Sequence, residues 1–310
     1  TMTSAAQRWL YRSGDLAEGP WESVVDDRID GWRHTGLRVA HLDEERTLSL
    51  ERAGEERMLI PLAGSFTVEW REGDGAVITL LAGRASEFDG PTDVLYLSSA
   101  ASATITGSGR IAIASSPTDT VLPSRYLPSD GVPVELRGAG ASSREVHNFG
   151  VPGVLDAARL IVCEVITPSG NWSSYPPHKH DEHVTGQESR LEEIYYFAAA
   201  PESGAPAGVP DGVAAAPFGL FHTYSSPAGE IEVDAVVRSG DIALVPFGYH
   251  GPAVAAPGYD LYYLNVMAGP DADRAWLITD DPVHAWVRDT WIEQDVDPRL
   301  PFGHDRRKRS

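Results

Sequence analysis

Gly240-Asp241-Ile242-Ala243-Leu244-Val245-Pro246-Phe247-Gly248-Tyr249-His250 is the stretch on which the reading of the fold turns. Four apolar residues lie between a Gly-Asp turn and a Pro-Phe-Gly turn, the signature of a short buried strand, and a histidine follows at once. Runs of the same kind fill the chain on either side. Upstream are Met58-Leu59-Ile60-Pro61-Leu62, Ser65–Trp70, Ala76–Leu81, Val94–Leu97 and Arg110–Ala114; a second series comprises Leu160–Ile166, Glu193–Phe197, Gly219–Tyr224, Ile231–Val237 and Leu261–Val266. Long amphipathic helical patterns are scarce, whereas 30 Gly and 23 Pro punctuate the chain. Closely spaced short strands with such turns predict an all-β protein of two sandwich or barrel units. The turn-rich stretch 126–147 carries little core pattern, so the expected division is 1–135 and 136–310.

The second series holds a set of metal-ligating residue types. Pro176-Pro177-His178-Lys179-His180-Asp181 places two histidines two residues apart, which on an extended strand project to one face. Leu191-Glu192-Glu193-Ile194-Tyr195-Tyr196-Phe197 supplies a carboxylate and His250 a third imidazole. Three imidazoles and one carboxylate suit one borderline divalent ion such as zinc, manganese, iron, nickel or cobalt. Alternation puts Glu193, Tyr195 and Phe197 on one face and Glu192, Ile194 and Tyr196 on the other. Glu193 is the expected ligand, with Glu192 the alternative should the register slip by one residue. His183 reads as a solvated loop histidine. Glu55-Glu56-Arg57 before Met58 looks like Glu192-Glu193, but with Arg57 where Glu193 stands, and no histidine occurs between His41 and His147. The first unit is therefore expected to lack metal and to serve packing or oligomerisation.

Composition narrows the partners. Twenty-five basic and 45 acidic residues give a formal charge of -20, which repels phosphate backbones and anionic bilayers. Neither nucleic acid nor a membrane is expected as a partner. No apolar run approaches membrane-spanning length and no signal-peptide pattern opens the chain. Cys163 stands alone, so no internal disulfide forms and a reducing cytoplasm fits. The basic end, His304–Ser310, reads as a frayed terminus. Sheet edges leave a homo-oligomer open.

The His-x-His…Glu pattern and the Gly-Asp…Pro-Phe-Gly turn leading to His250 resemble the cupin superfamily. Two departures are visible: twelve residues separate His180 from Glu193, which requires an inserted loop, and only Tyr249 lies between Gly248 and His250. With Ala256–Gly269 and Asp280-Asp281-Pro282-Val283-His284-Ala285-Trp286, these motifs resemble the 5-deoxy-glucuronate isomerase family of bicupins, related to 4-deoxy-5-hexulose-uronate isomerases. They cover roughly residues 171–286, and Phe247 stands where the resemblance predicts a basic residue. The resemblance implies a bicupin fold, one divalent ion (zinc or manganese) and an aldose–ketose conversion of a small sugar acid in myo-inositol breakdown.

Such a conversion needs a proton-transfer group, and Tyr263, His222 and Tyr195 are the candidates. His222 and Tyr224 share one strand face; Leu261, Tyr263 and Asn265 share another; either can line a barrel. A carboxylate-bearing substrate calls for a cation, for which Lys179, Arg190 and Arg274 are the candidates, with Arg238 also considered. Lys179 points away from its flanking histidines on a regular strand. Two other readings use the same residues: an iron-dependent cupin dioxygenase, and a sugar-binding cupin without catalysis.

Overall fold

The computed structural model describes residues 8–52, 54–202 and 215–302; the basic end His304–Ser310 lies outside them. Strands dominate, in the all-β, two-unit plan expected. The first unit is one eight-stranded antiparallel sheet built on two long strands, Glu55–Glu72 and Ser102–Pro117. Within the longer one the run Met58–Leu62 is apolar throughout because it is covered on both faces. Met58, Ile60 and Leu62 enter the large core shared with the second unit, whereas Leu59, Phe66 and Val68 join a smaller core of the first unit alone. Pro61 is tolerated there because the pairing slips between Pro61 and Ala63.

The second unit has two facing sheets. One runs Leu10–Tyr11, Ile242–Val245, Glu192–Pro201, Tyr259–Ala268, Ile161–Thr167, Arg144–Gly150 and Val134–Arg137 in spatial order. The other runs Gly229–Val237, Gly219–Ser226, Tyr249–Ala255, His178–Lys179 and Thr279–Asp280. Leu10–Tyr11 thus crosses over from the start of the chain to pair with Ala243 and Ile242. The loop required between His180 and Glu193 is a small hairpin, Asp181–Val184 with Glu188–Arg190. The tail that carries Trp276, Trp286 and Trp291 returns over this unit: Thr279–Asp280 pairs with His178–Lys179, although Trp286 itself stays 62% exposed.

The units grip each other reciprocally. Glu56 of the first accepts the backbone N–H groups of Ala158, Arg159 and Leu160 at 2.6, 2.7 and 2.7 Å, plus the Tyr96 hydroxyl at 2.7 Å. Glu192 of the second accepts the N–H groups of Arg33, His34 and Thr35 at 3.2, 2.6 and 2.7 Å, plus the Thr35 hydroxyl at 2.9 Å. Beneath them lies a buried charge chain. Arg84 grips Glu164 with two 2.7 Å bonds, and His147 sits between Glu164 and Glu145 at 2.6 Å from each. Among the described residues no helix is long and apolar enough to cross a membrane.

Candidate metal centre and its cavity

His178 lies directly across from His250 in the pairing of their strands, and His180 follows on the same face. The ring centroids are 4.5 Å apart for His178–His250 and 4.7 Å for His180–His250. One nitrogen from each of the three imidazoles falls within 4.8 Å of the other two. Glu193 enters from the facing sheet, its Oε2 3.0 Å from Nε2 of both His180 and His250. The structure thus brings His178, His180, Glu193 and His250 together from three separate stretches. Glu192 points the other way into its three amides, as strand alternation requires.

The donor set fits a divalent cation. Each imidazole turns Nδ1 to a backbone carbonyl: His178 to Pro176 at 3.3 Å, His180 to Leu191 at 3.1 Å, His250 to Gly248 at 3.2 Å. A ring that donates through Nδ1–H presents its Nε2 lone pair, the usual arrangement behind a metal-bound histidine. His250 Nε2 is buried and its polar neighbour is Glu193 Oε2, at an angle that does not make a hydrogen bond. Burial, with His250 and His180 beside it, pushes His178 well below the usual histidine range, so it is neutral at pH 7. Burial also opposes charge on His180 and on Glu193, but their mutual hydrogen bond prevails, raising His180 and holding the Glu193 carboxyl down at about 2. His180 Nε2–H donates to Glu193 here, and a divalent cation in that proton's place would accept the Nε2 lone pairs of the three rings together with the carboxylate.

Local chemistry seats these ligands. Gly248 has φ 96°, and a Cβ there would meet the Tyr224 carbonyl oxygen at 2.8 Å, so the turn into His250 requires glycine. Its N–H donates to Asp181 Oδ2 at 2.8 Å. Asp181 is in turn held by Lys179, whose ammonium sits among Asp181, Glu182 and Glu188 at 2.8 to 3.1 Å. Gly251 also has positive φ, and a Cβ on it would strike the Ser174 carbonyl oxygen. That close approach sets Ser174 Oγ 3.2 Å from both the Tyr195 and Tyr263 hydroxyls. Burial pushes both phenols above their ordinary pKa.

A cavity of about 240 Å³ opens beside the cluster. Tyr195 and Tyr263 line it with His178, Glu193, Ser174, Asn265, Trp276, Arg137, Arg144 and Arg288. Five of the sequence candidates stand elsewhere. His222 is half-buried and pairs with Asp234, because its strand turns that face away from the core; Tyr224 on the same face bonds Asp281. Lys179 is consumed by its carboxylate cage. Arg190 faces Asp271 at 3.1 Å in a separate cleft. Arg274 is held by the carbonyls of Leu160, Leu155 and Gly150 at 2.6 to 2.8 Å, one from each nitrogen, so it is a backbone clamp; Arg238 is exposed. Sequence reasoning missed Arg137, Arg144 and Arg288. The first two lie on the hairpin of the presumed linker and the third in the tail, so no motif signals them.

In the first unit, Arg57 occupies the strand position matching Glu193 and donates to the carbonyls of Glu51, Ser98 and Ala101. The apolar core beside it leaves no cluster of ligating side chains among the described residues there.

A model of the KduI/IolB family matches residues 9–287. The 5-deoxy-glucuronate isomerase of Geobacillus thermodenitrificans is 38% identical over 268 residues, covering 84% of this chain and 88% of that protein. The enzyme of the same name from Bacillus subtilis strain 168 is 34% identical over 254 residues, 81% of this chain and 86% of that protein. Among solved structures, an IolB-like protein from Salmonella typhimurium LT2 superposes with TM-score 0.77 at 33% identity, covering 90% of this chain and 98% of that one. Oxalate decarboxylase from Lactobacillus farciminis, at 11% identity and TM-score 0.60 over 88% of each chain, shares the cupin fold alone. The chain belongs to the KduI/IolB family of enzymes.

Proposed function

We propose that this protein is a metal-dependent aldose–ketose isomerase that converts 5-deoxy-D-glucuronate to 5-dehydro-2-deoxy-D-gluconate through an enediolate, in myo-inositol breakdown. One observation carries the reading: three imidazoles with Nδ1 turned to carbonyls meet one carboxylate at the side of a small polar cavity. The relatives' shared name supplies the substrate. On this reading residues 136–310 carry the chemistry and residues 1–135 support them. The single, buried Cys163 fits a cytoplasmic setting.

His178, His180, Glu193 and His250 would hold the ion, zinc or manganese by donor type. Bound there, it would supply Lewis-acid stabilisation, worth several kcal/mol, to the negative charge that builds on the two substrate oxygens when C2 loses its proton. The reaction moves one proton from C2 to C1 and another from the C2 hydroxyl oxygen to the C1 oxygen. Tyr195 and Tyr263 hold protons at their phenolic oxygens beside the cavity, and Ser174 Oγ joins them into one chain. Such a chain can deliver and recover a proton without bulk water. Tyr263 is joined to Ser173 as well, at 3.0 Å, which fixes its hydroxyl.

Elemental analysis of the purified protein, then proton NMR of 5-deoxy-D-glucuronate with the anaerobic enzyme in heavy water, tests the proposal. About one divalent ion per chain and ketose product carrying solvent deuterium are expected. Metal-free protein with full activity, or turnover that consumes oxygen, would defeat it.

A further inference from the structure

The walls of the cavity carry an imbalance of charge and of hydrogen bonding that the histidine cluster does not explain. Three guanidinium groups line it, but only two have carboxylates. Arg137 is gripped by Glu135 at 3.0 and 2.7 Å, and Arg288 by both oxygens of Asp280. Arg144 has neither. It is 5% exposed, its Nη1 donates to the Ser142 carbonyl at 3.0 Å, and it makes no ion pair among the described residues. It also lies directly opposite Arg137 in the pairing of Val134–Arg137 with Arg144–Gly150, an arrangement that like charges disfavour. The Trp291 ring, 5.6 Å from its guanidinium carbon, offers only the weak attraction of an aromatic face.

Two further donors in the same walls are idle. Asn265 Nδ2 and Trp276 Nε1 are buried and have no hydrogen-bond partner. Buried polar groups are almost always satisfied, and an orphan calls for a reason. Here two orphans and an uncompensated guanidinium share one cavity, and all three can only donate. The complement is a ligand rich in acceptors with one negative charge. Burial, with Arg137 and Arg288 nearby, brings the Arg144 pKa down to about 10, so it still carries its proton at neutral pH.

We propose that Arg144, with Asn265 and Trp276 beside it, forms the subsite that receives the carboxylate of a sugar acid and makes the cavity select acids over neutral sugars. This rests on the isomerase reading for the sugar; the preference for a single carboxylate rests on the residual charge and the donors alone. The planar guanidinium matches a carboxylate with two parallel bonds, which an ammonium cannot copy.

The test is calorimetric titration of the metal-loaded protein with D-glucuronate, D-glucose and D-glucose 6-phosphate. A charge-assisted pair predicts that the wild type prefers glucuronate to glucose by roughly 10- to 100-fold. Arg144→Gln should erase most of that preference while glucose affinity stays within about 2-fold, and Arg144→Lys should restore part of it. Trp276→Phe removes one N–H and keeps most of the ring; it should weaken glucuronate alone by roughly 3- to 10-fold, and it serves if Arg144→Gln does not fold. The subsite is overturned by a wild type without preference, by equal losses for both sugars in the variants, or by tighter binding of the phosphate. Turnover separates the two readings. A wild type that selects glucuronate but leaves 5-deoxy-D-glucuronate unconverted refutes the isomerase and keeps the subsite. An Arg144→Gln enzyme with wild-type KM overturns the subsite and keeps the isomerase.

Discussion

His147 should make the stability of this protein fall between neutral and mildly alkaline pH. Both ring nitrogens face a carboxylate oxygen at 2.6 Å, Nδ1 to Glu164 and Nε2 to Glu145, so only the doubly protonated ring can donate to both. Burial works against that charge, but the hydrogen bonds from Glu145 and Glu164 prevail and push the pKa up to about 9. A histidine raised in the folded state binds its proton more tightly there than in the unfolded chain. Its contribution is therefore complete below about pH 6.5 and is lost as pH climbs through about 9. The shift corresponds to about 3 kcal/mol over that window. Glu164 works at the other end: burial opposes its charge, but Arg84 and His147 hold it down at about 2, so its contribution fades only as pH falls below the usual carboxylate range. The assay is urea unfolding at closely spaced pH values from 5 to 9.5, for wild type and His147→Gln. The wild type should lose about 2–3 kcal/mol between pH 6.5 and 9 that the variant does not lose. Parallel profiles for the two proteins would refute the assignment of charge to this ring.

Replacing His178 or His250 with Ala should cut bound metal to near zero by elemental analysis while circular dichroism stays that of the folded protein; retained stoichiometric metal would contradict the ligand set. Arg57→Ala should leave metal content unchanged but cost on the order of 3 kcal/mol in urea unfolding, since three carbonyls lose a buried donor. Glu56→Ala strands three amide donors and the Tyr96 hydroxyl, and should cost about 3–5 kcal/mol, with Glu56→Gln milder at about 1–2. A change below 0.5 kcal/mol in Glu56→Ala would mean that water takes over the carboxylate's place.

The strand pattern and the four side chains that meet in the cluster are readable in the chain, because alternation along a strand follows from covalent spacing. His178 and His180 must share a face, and Glu193 must oppose Glu192. Alternation does not say which face of a strand is inner. Phe221 and Thr223 of one strand turn inward, leaving His222 outside, while Tyr263 and Asn265 of another face the cavity. Arginine is the least legible residue, because its long stem lets distant partners decide its role. Arg274 finds three carbonyls more than a hundred positions upstream, whereas Arg144, on a stretch that reads as linker, lies in the cavity wall. No local pattern records either outcome.

Glu192 and Glu193 are consecutive, yet one is moored to the backbone of the opposite half and the other reaches the histidines. A shift of Arg33–Thr35 must therefore be passed along a single peptide unit to a carboxylate in contact with two imidazoles. The amino-terminal half is thus an anvil for the histidine cluster next door, since the backbone that moors Glu192 to Thr35 also fixes where Glu193 reaches.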